Sequence, residues 1–257
     1  MFSKAIDLHI KESLSANKSI AVISFHKCAT SYFSSEILNK SKTHEFIDYQ
    51  TYQYNHDKKI KPIINLTGYI YGILRIYEPE HPGYDLTMSL LHHKHIKKIN
   101  TLFWIRDPRD ILISMYYSFG FTHGLSDNPG VRSYQIKRRD FIQKLSLDEY
   151  VIHEAYRLRK KFEIMIKLID SCPNTLVLKY EDMIHRYDHF YKSLSKVISL
   201  DDEMYEKIYD KTRPKHKEDK DSHKRSGKTG AYVDKLKEET ITELNSIFCD
   251  PLNKLKY

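Results

Sequence analysis

Four short apolar runs, dense in β-branched and aromatic residues, do most to restrict how this chain can fold. They are Ser19–Phe25 (SIAVISF), Tyr69–Tyr77 (YIYGILRIY), Thr101–Ile105 (TLFWI) and Thr175–Lys179 (TLVLK). Runs of this length that are mostly apolar, without strict alternation of polar and apolar positions, read as strands buried on both faces, the signature of a parallel sheet. Between them lie stretches with helical periodicity. Helices are expected over Tyr32–Leu38, Pro108–Phe119, Leu147–Ile169, Asp182–Ile198, Asp201–Lys211 and Asp234–Phe248, with a short amphipathic one at Ile6–Ala16. Pro108 falls in a first helical turn, where its missing N–H costs little. Strands alternating with helices predict an α/β fold of three layers, a central parallel sheet flanked by helices. Ligands of such sheets bind outside the carboxyl ends of the strands. The junctions Phe25/His26 and Ile105/Arg106 are therefore the places to look for chemistry.

Bulk properties narrow the classes. The chain has 257 residues, 40% of them apolar, which suits a single domain with a substantial core. Its formal charge of +8 favours an anionic ligand or partner. Cys28, Cys172 and Cys249 have neither pairing nor metal spacing, which points to a reducing compartment. No run approaches the ~18–20 apolar residues of a membrane span. The N-terminal segment lacks an uninterrupted apolar stretch of the kind that signal peptides carry. A cytoplasmic location is the expectation. His92, His93 and His95 cluster in sequence, but their spacing does not suit a zinc site and reads as a solvated basic face. No metal is expected.

The first junction reads Phe25-His26-Lys27-Cys28-Ala29-Thr30-Ser31-Tyr32. A strand that feeds a helix through such a loop offers unpaired N–H groups and the positive end of the helix dipole, a natural seat for phosphate. Lys27 adds a charge, and Thr30 and Ser31 add hydroxyls. The glycine-framed P-loop pattern is absent, and an ordinary helix start capped by Ser or Thr fits the same residues. At the second junction a strand delivers Arg106, and Ser114 follows eight residues later, about two helical turns on. An arginine fork with a hydroxyl makes a phosphate clamp. Equally, Arg106 could pair with Asp107 or Asp110.

Taken together, the segments resemble the motifs of sulfotransferases that use 3′-phosphoadenosine-5′-phosphosulfate (PAPS). His26–Tyr32 is similar to that family's Pro-Lys-Ser-Gly-Thr-Thr-Trp. Arg106 and Ser114 match its strand-end arginine and the serine eight positions on. Tyr180-Glu181-Asp182-Met183 looks like its Tyr-Glu-Asp-Met, and Arg225-Ser226-Gly227-Lys228-Thr229-Gly230 is similar to its Arg-Lys-Gly-x-x-Gly loop. The matches are spread over residues 19–257. The resemblance implies a P-loop-like sulfotransferase fold, PAPS as donor and adenosine 3′,5′-bisphosphate (PAP) as product. It implies that Lys27 contacts the bridging oxygen and the sulfuryl group, while Thr30 and Ser31 hold the 5′-phosphate within the loop formed by His26, Cys28 and Ala29. Arg106, Ser114 and Arg225 would bind the 3′-phosphate, with Ser226 and Gly227 in the loop that covers it. Tyr180 and Tyr32 would lie against adenine. That covering loop, about 213–230, is expected to be mobile.

Departures from the pattern are concentrated at three places. His26, Cys28 and Ala29 replace Pro, Ser and Gly, and Ser226 stands where Lys is usual. After the second strand, where relatives acting on phenols and steroids carry Lys-Thr-His-Leu-Pro, this chain reads Arg75-Ile76-Tyr77-Glu78-Pro79-Glu80-His81-Pro82. Arg75 can stand for the lysine, and Tyr77 then replaces the histidine. His81, then Glu78, are the candidates for the base that deprotonates the acceptor. The acceptor itself, a small molecule or carbohydrate, is not specified by any motif, although Tyr-rich stretches such as Tyr49–Tyr54 suit stacking on rings. Two other classes are weighed against this one. A P-loop kinase requires a glycine-flanked lysine and a magnesium carboxylate. A basic nucleic-acid or polyanion binder requires basic and aromatic residues gathered on one element. The sequence shows neither arrangement, and no nucleic-acid partner is expected.

Overall fold

The computed structural model describes residues 17–48, 64–77, 79, 81, 84–212 and 227–257. The expected helix at Ile6–Ala16, the Tyr49–Tyr54 stretch, Glu78, Glu80, Arg225 and Ser226 lie outside them. The described residues fall into two compact units, one drawing on Met1–Ile105 and Ile169–Lys211, the other on Arg106–Leu168 and Thr212–Tyr257.

The first unit holds a five-stranded sheet, every pair parallel. Its strands are β1 (Ile20–Ser24), β2 (Glu45–Ile47), β3 (Tyr69–Arg75), β4 (Asn100–Ile105) and β5 (Thr175–Lys179), in the order β2-β3-β1-β4-β5. The four expected strands are all present. β2 is an addition, a three-residue edge strand whose Glu45 is exposed and whose Ile47 is buried. β1 and β4 are buried almost throughout, as strands with helices on both faces must be. The α/β class expected from the alternation is the one observed.

The strands stay parallel, but the connections leave β1 and β4 in opposite directions across the sheet: that from β1 runs toward the β3 side and that from β4 toward β5. That is the topological switch point at which open α/β sheets bind ligands. The register Ser24↔Trp104 aligns the two strand ends, and the Ser24 hydroxyl donates to the Trp104 carbonyl at 2.6 Å. Beside them β1 and β3 slip register between Ala21 and Ile23. Gly72 lies in that irregularity, and a Cβ there would sit 2.7 Å from the Val22 carbonyl oxygen, so no other residue fits without moving the strand.

Trp104 organises one face of the sheet. Its indole is fully buried, stacked on Phe33 with ring centroids 4.5 Å apart and 9° between planes. Phe190 is tilted against it at 5.7 Å, and Tyr180 meets it edge-on at 6.4 Å. Phe33 belongs to the helical segment after β1, which starts as α1 (Thr30–Tyr32), continues as a π-helical turn (Phe33–Ile37) and tightens to a 3-10 turn (Leu38–Lys40). Helix α2 (Tyr84–Leu91) lies between β3 and β4.

The second unit begins with α3 (Pro108–Tyr117), capped by Asp107, whose side chain accepts the Arg109 N–H. It also contains α4 (Pro129–Ile142), absent from the sequence expectations, and most of α5 (Leu147–Ser171). In α5 the buried residues Val151, Ala155, Leu158, Phe162 and Met165 recur every three or four positions, the stripe of an amphipathic helix. Back in the first unit, the expected Asp182–Ile198 helix proves to be two, α6 (Tyr180–His185) and α7 (Tyr187–Leu194), broken at Arg186 with φ −132° and ψ 53°. α8 (Met204–Thr212) follows. In the second unit the expected Asp234–Phe248 helix is likewise divided, into α9 (Ala231–Lys235) and α10 (Glu238–Ile247), and a further helix, α11 (Cys249–Leu255), lies beyond its expected end. Among the described residues no helix is long and apolar enough to cross a membrane.

Candidate active site

In the first unit the loop that leaves β1 has an unusual backbone. Lys27 and Ala29 both adopt positive φ, 67° and 55°, which ordinary side chains avoid because Cβ crowds the carbonyl. Left-handed residues in a tight turn gather successive N–H groups into a concave nest suited to an anion. Ala29 occupies the N-cap of α1, and no side chain caps that helix start. Thr30 and Ser31 are therefore not the capping residues that an ordinary strand–loop–helix would use. The Thr30 hydroxyl, buried, instead accepts a hydrogen bond from Arg75 Nη2 at 3.2 Å. Ser31 is exposed, and Lys27 and His26 are half-buried. Cys28 is fully buried, which makes it a packing residue of the loop.

Trp104 holds this loop from beneath. Its indole N–H donates to the Cys28 carbonyl at 2.5 Å, tying the nest to a large, fully buried side chain of the sheet. The strain of a left-handed alanine should be measurable. Ala29→Gly removes the Cβ conflict at φ 55°, and a gain in stability of about 1 kcal/mol is expected in urea unfolding, less the extra entropy of glycine in the unfolded chain. A loss of similar size would show that the loop does not hold Ala29 in this conformation.

Arg75 is the last residue of β3, and Tyr77 and His81 follow it. Tyr77 and His81 stack almost parallel, with centroids 3.7 Å apart and 4° between planes. His26 completes the cluster at 5.4 Å from Tyr77 and 6.3 Å from His81. The structure thus brings His81 beside His26, the residue that precedes Lys27; the two histidines are 55 positions apart in sequence and meet because β1 and β3 are adjacent. Tyr32 directs its hydroxyl to the Ile208 carbonyl at 3.2 Å, and burial, with the Glu36 carboxylate adding to it, raises its pKa well above the usual phenol range. Tyr180, at the end of β5, is only 5% exposed and packs on Trp104.

In the second unit, Arg106 directly follows β4. Its Nη2 lies 3.6 Å from the Asp110 carboxylate and donates to the Lys228 carbonyl at 3.2 Å. Of the two partners the sequence left open, Asp110 is the one it takes. Asp107 is engaged by Arg109, through Nε at 3.0 Å and Nη2 at 2.6 Å. Arg109 also reaches Asn245 Oδ1 at 2.7 Å and lies over the Tyr232 ring at 4.1 Å. Ser114, half-buried, is one turn beyond Asp110 on the same face of α3, and Arg106 lies just before the helix start. Burial pushes the Asp110 carboxyl above the ordinary carboxylate range, a rise opposed by the Arg106 charge and by hydrogen bonds from Gly230 and Tyr232. Gly227 and Gly230 take positive φ, 69° and 71°, in the turn leading to α9.

His92 Nδ1 and His95 Nδ1 sit 2.8 Å from the backbone carbonyls of Met88 and Ile64. Among the described residues no group of three or more His, Cys, Asp or Glu side chains is arranged to hold a metal. Sequence reasoning missed Trp104 as the anchor of the loop; it offered Asp110 as a partner of Arg106 but missed its bonds to the Gly230–Tyr232 turn, and it missed Tyr232 and Asn245 as partners of Arg109.

No family model matches the chain, and no curated protein matches it. Solved structures do. Mouse sulfotransferase SULT7A1 complexed with PAP superposes with a TM-score of 0.51 at 14% identity, covering 96% of this chain and 87% of that one. Retinol dehydratase in complex with retinol and PAP gives a TM-score of 0.41 at 15% identity, covering 91% of this chain and 81% of that one. At such identity the likeness is one of architecture, and together with the parallel sheet and its strand order it establishes that this chain has the fold of the PAPS-dependent sulfotransferases.

Proposed function

We propose that the protein is a sulfotransferase that moves the sulfuryl group of PAPS to a hydroxyl or amine of a small-molecule or carbohydrate acceptor and releases PAP. The observation that carries this reading is the loop after β1: two left-handed residues around Cys28, an uncapped helix start, and Arg75 bonded to Thr30. A chain has little reason to keep a strained, uncapped and positively charged turn at a switch point unless an anion completes it.

In this reading the loop N–H groups, Thr30 and Ser31 hold the 5′-phosphate, with Arg75 supplying a second positive charge. Lys27 faces the bridging oxygen. Arg106 and Ser114 take the 3′-phosphate, as do Arg225 and the turn from Ser226 and Gly227. Tyr32 lies against adenine, and Tyr180 contributes only the small part of its ring that is exposed. Sulfuryl transfer is an in-line displacement resembling phosphoryl transfer: the bond from sulfur to the bridging oxygen breaks as the acceptor atom bonds to sulfur. Negative charge builds on the departing oxygen, and Lys27 with the loop N–H groups stabilises it. The acceptor proton passes to a base, His81 by preference or Glu78. The stacking of His81 on Tyr77 fixes the imidazole plane, which favours His81 for that role.

Calorimetric titration tests the donor assignment. PAP is expected to bind about tenfold or more tighter than AMP, because charge-assisted bonds to the 3′-phosphate are lost in AMP. Equal affinities would overturn the 3′-phosphate assignment of Arg106 and Arg225. Trp104 is the only tryptophan in the chain, and its bond to the loop makes its fluorescence an independent monitor of the same titration.

A further inference from the structure

The Arg106-Asp107-Pro108-Arg109-Asp110 segment does more than present one arginine. Asp110 is 1% exposed. Its carboxylate accepts the backbone N–H of Gly230 at 2.8 Å and that of Tyr232 at 3.3 Å. The same carboxylate stands 3.6 Å from Arg106 Nη2, and that nitrogen donates to the Lys228 carbonyl two residues before Gly230. The contacts close a ring: arginine to carboxylate, carboxylate to turn, turn back to arginine. Arg109, gripped by Asp107 and Asn245, lies over the Tyr232 ring and adds a second contact to the end of the turn. Gly227 and Gly230, both at positive φ, give the turn a backbone that can bend to this acceptor.

A buried carboxylate beside an arginine meant for phosphate is at first sight the wrong charge in the wrong place. It costs desolvation, and it subtracts from the positive field that an anion would meet. A role in positioning resolves the conflict, because two backbone donors and a guanidinium are fixed by a single buried group. We propose that Asp110 is a positioning residue that latches the Gly227–Tyr232 turn to Arg106, setting the affinity for the 3′-phosphate of the nucleotide without touching it. The inference rests on the sulfotransferase reading above and specifies a part of its donor site that no sequence motif assigns.

The two alternatives, latch and mere counter-charge, predict opposite signs. Asp110→Asn keeps the shape and one acceptor oxygen while removing the charge. If Asp110 acts as a latch, the variant binds PAP about tenfold more weakly, AMP affinity is unchanged, and the PAP-to-AMP ratio collapses toward one. Amide exchange at Gly230 and Tyr232 quickens in the same variant without nucleotide. Asp110→Ala, which loses both acceptors, should show the same pattern more strongly, and Asp110→Asn serves alone if the alanine variant does not fold. Tighter PAP binding by Asp110→Asn would overturn the latch, since relief of repulsion would then dominate. A retained PAP-to-AMP ratio, or an equal fall for both nucleotides, would overturn it as well. A wild-type protein that does not prefer PAP over AMP would instead remove the donor reading on which the latch depends.

Discussion

Lys27→Ala is expected to slow sulfuryl transfer by about 10²–10³-fold, the effect of removing one preorganised donor from a developing charge, while PAP affinity changes only a few-fold. The backbone makes this substitution unusually clean. Lys27 already sits at φ 67°, so alanine inherits the same left-handed strain and the variant removes the ammonium with little change in the cost of the turn. PAP lacks the sulfuryl group and the charge that grows on the bridging oxygen during transfer. A residue that acts on that charge is therefore needed in the transition state more than in the product complex. The measurement is single-turnover transfer of labelled sulfuryl from PAPS to a panel of phenolic and carbohydrate acceptors, paired with PAP calorimetry. Near-normal turnover in Lys27→Ala would remove Lys27 from the mechanism. An equal loss of PAP binding and transfer would recast it as a binding residue.

What the sequence revealed and what it concealed follow from how far each signal reaches along the chain. β1, β3 and β4 were legible because each is a compact, mostly apolar run, and burial on both faces demands such a run; β5, at the sheet edge and only partly buried, was marked by its central Leu-Val-Leu. β2 has only three residues, one of them an exposed glutamate, so it carries no run to read. α4 escaped because only Val131 and Ile142 among its residues are buried, leaving no apolar stripe. The break at Arg186 is set by a local φ and ψ, not by a proline or glycine, and so left no mark in the sequence.

The site divides in the same way. Lys27, Thr30 and Arg106 stand out because strand ends and residue spacing are local properties. Trp104 looks like any core aromatic, since its bond to Cys28 spans 76 positions. Asp110 reads equally well as half of a surface ion pair. Only its burial and the approach of Gly230 and Tyr232, 120 and 122 positions away, show otherwise. Long-range hydrogen bonds of buried polar groups are what the spacing of motifs cannot supply, and in this protein they are what hold the short-range motifs in shape.

Trp104 allows packing and loop geometry to be separated. Trp104→Ala removes a fully buried ring that stacks on Phe33 and meets Phe190 and Tyr180, and a loss of about 3–5 kcal/mol is expected from the transfer and cavity terms together. At roughly 2–4 °C per kcal/mol for a chain of this size, the melting temperature should fall by about 10 °C. Trp104→Phe keeps an aromatic against Phe33 and deletes the N–H. The Cys28 carbonyl then loses its buried donor, at a cost of about 1–3 kcal/mol. Its effect on function should be out of proportion to that cost: with the floor of the nest released, PAP binding should weaken about tenfold. If Trp104→Phe binds PAP as the wild type does, the indole bond is only packing and the loop keeps its anion-ready shape through its own backbone. If it binds weakly while melting within a few degrees of the wild type, the left-handed turn at Lys27 and Ala29 is held open by one hydrogen bond from the strand beside it.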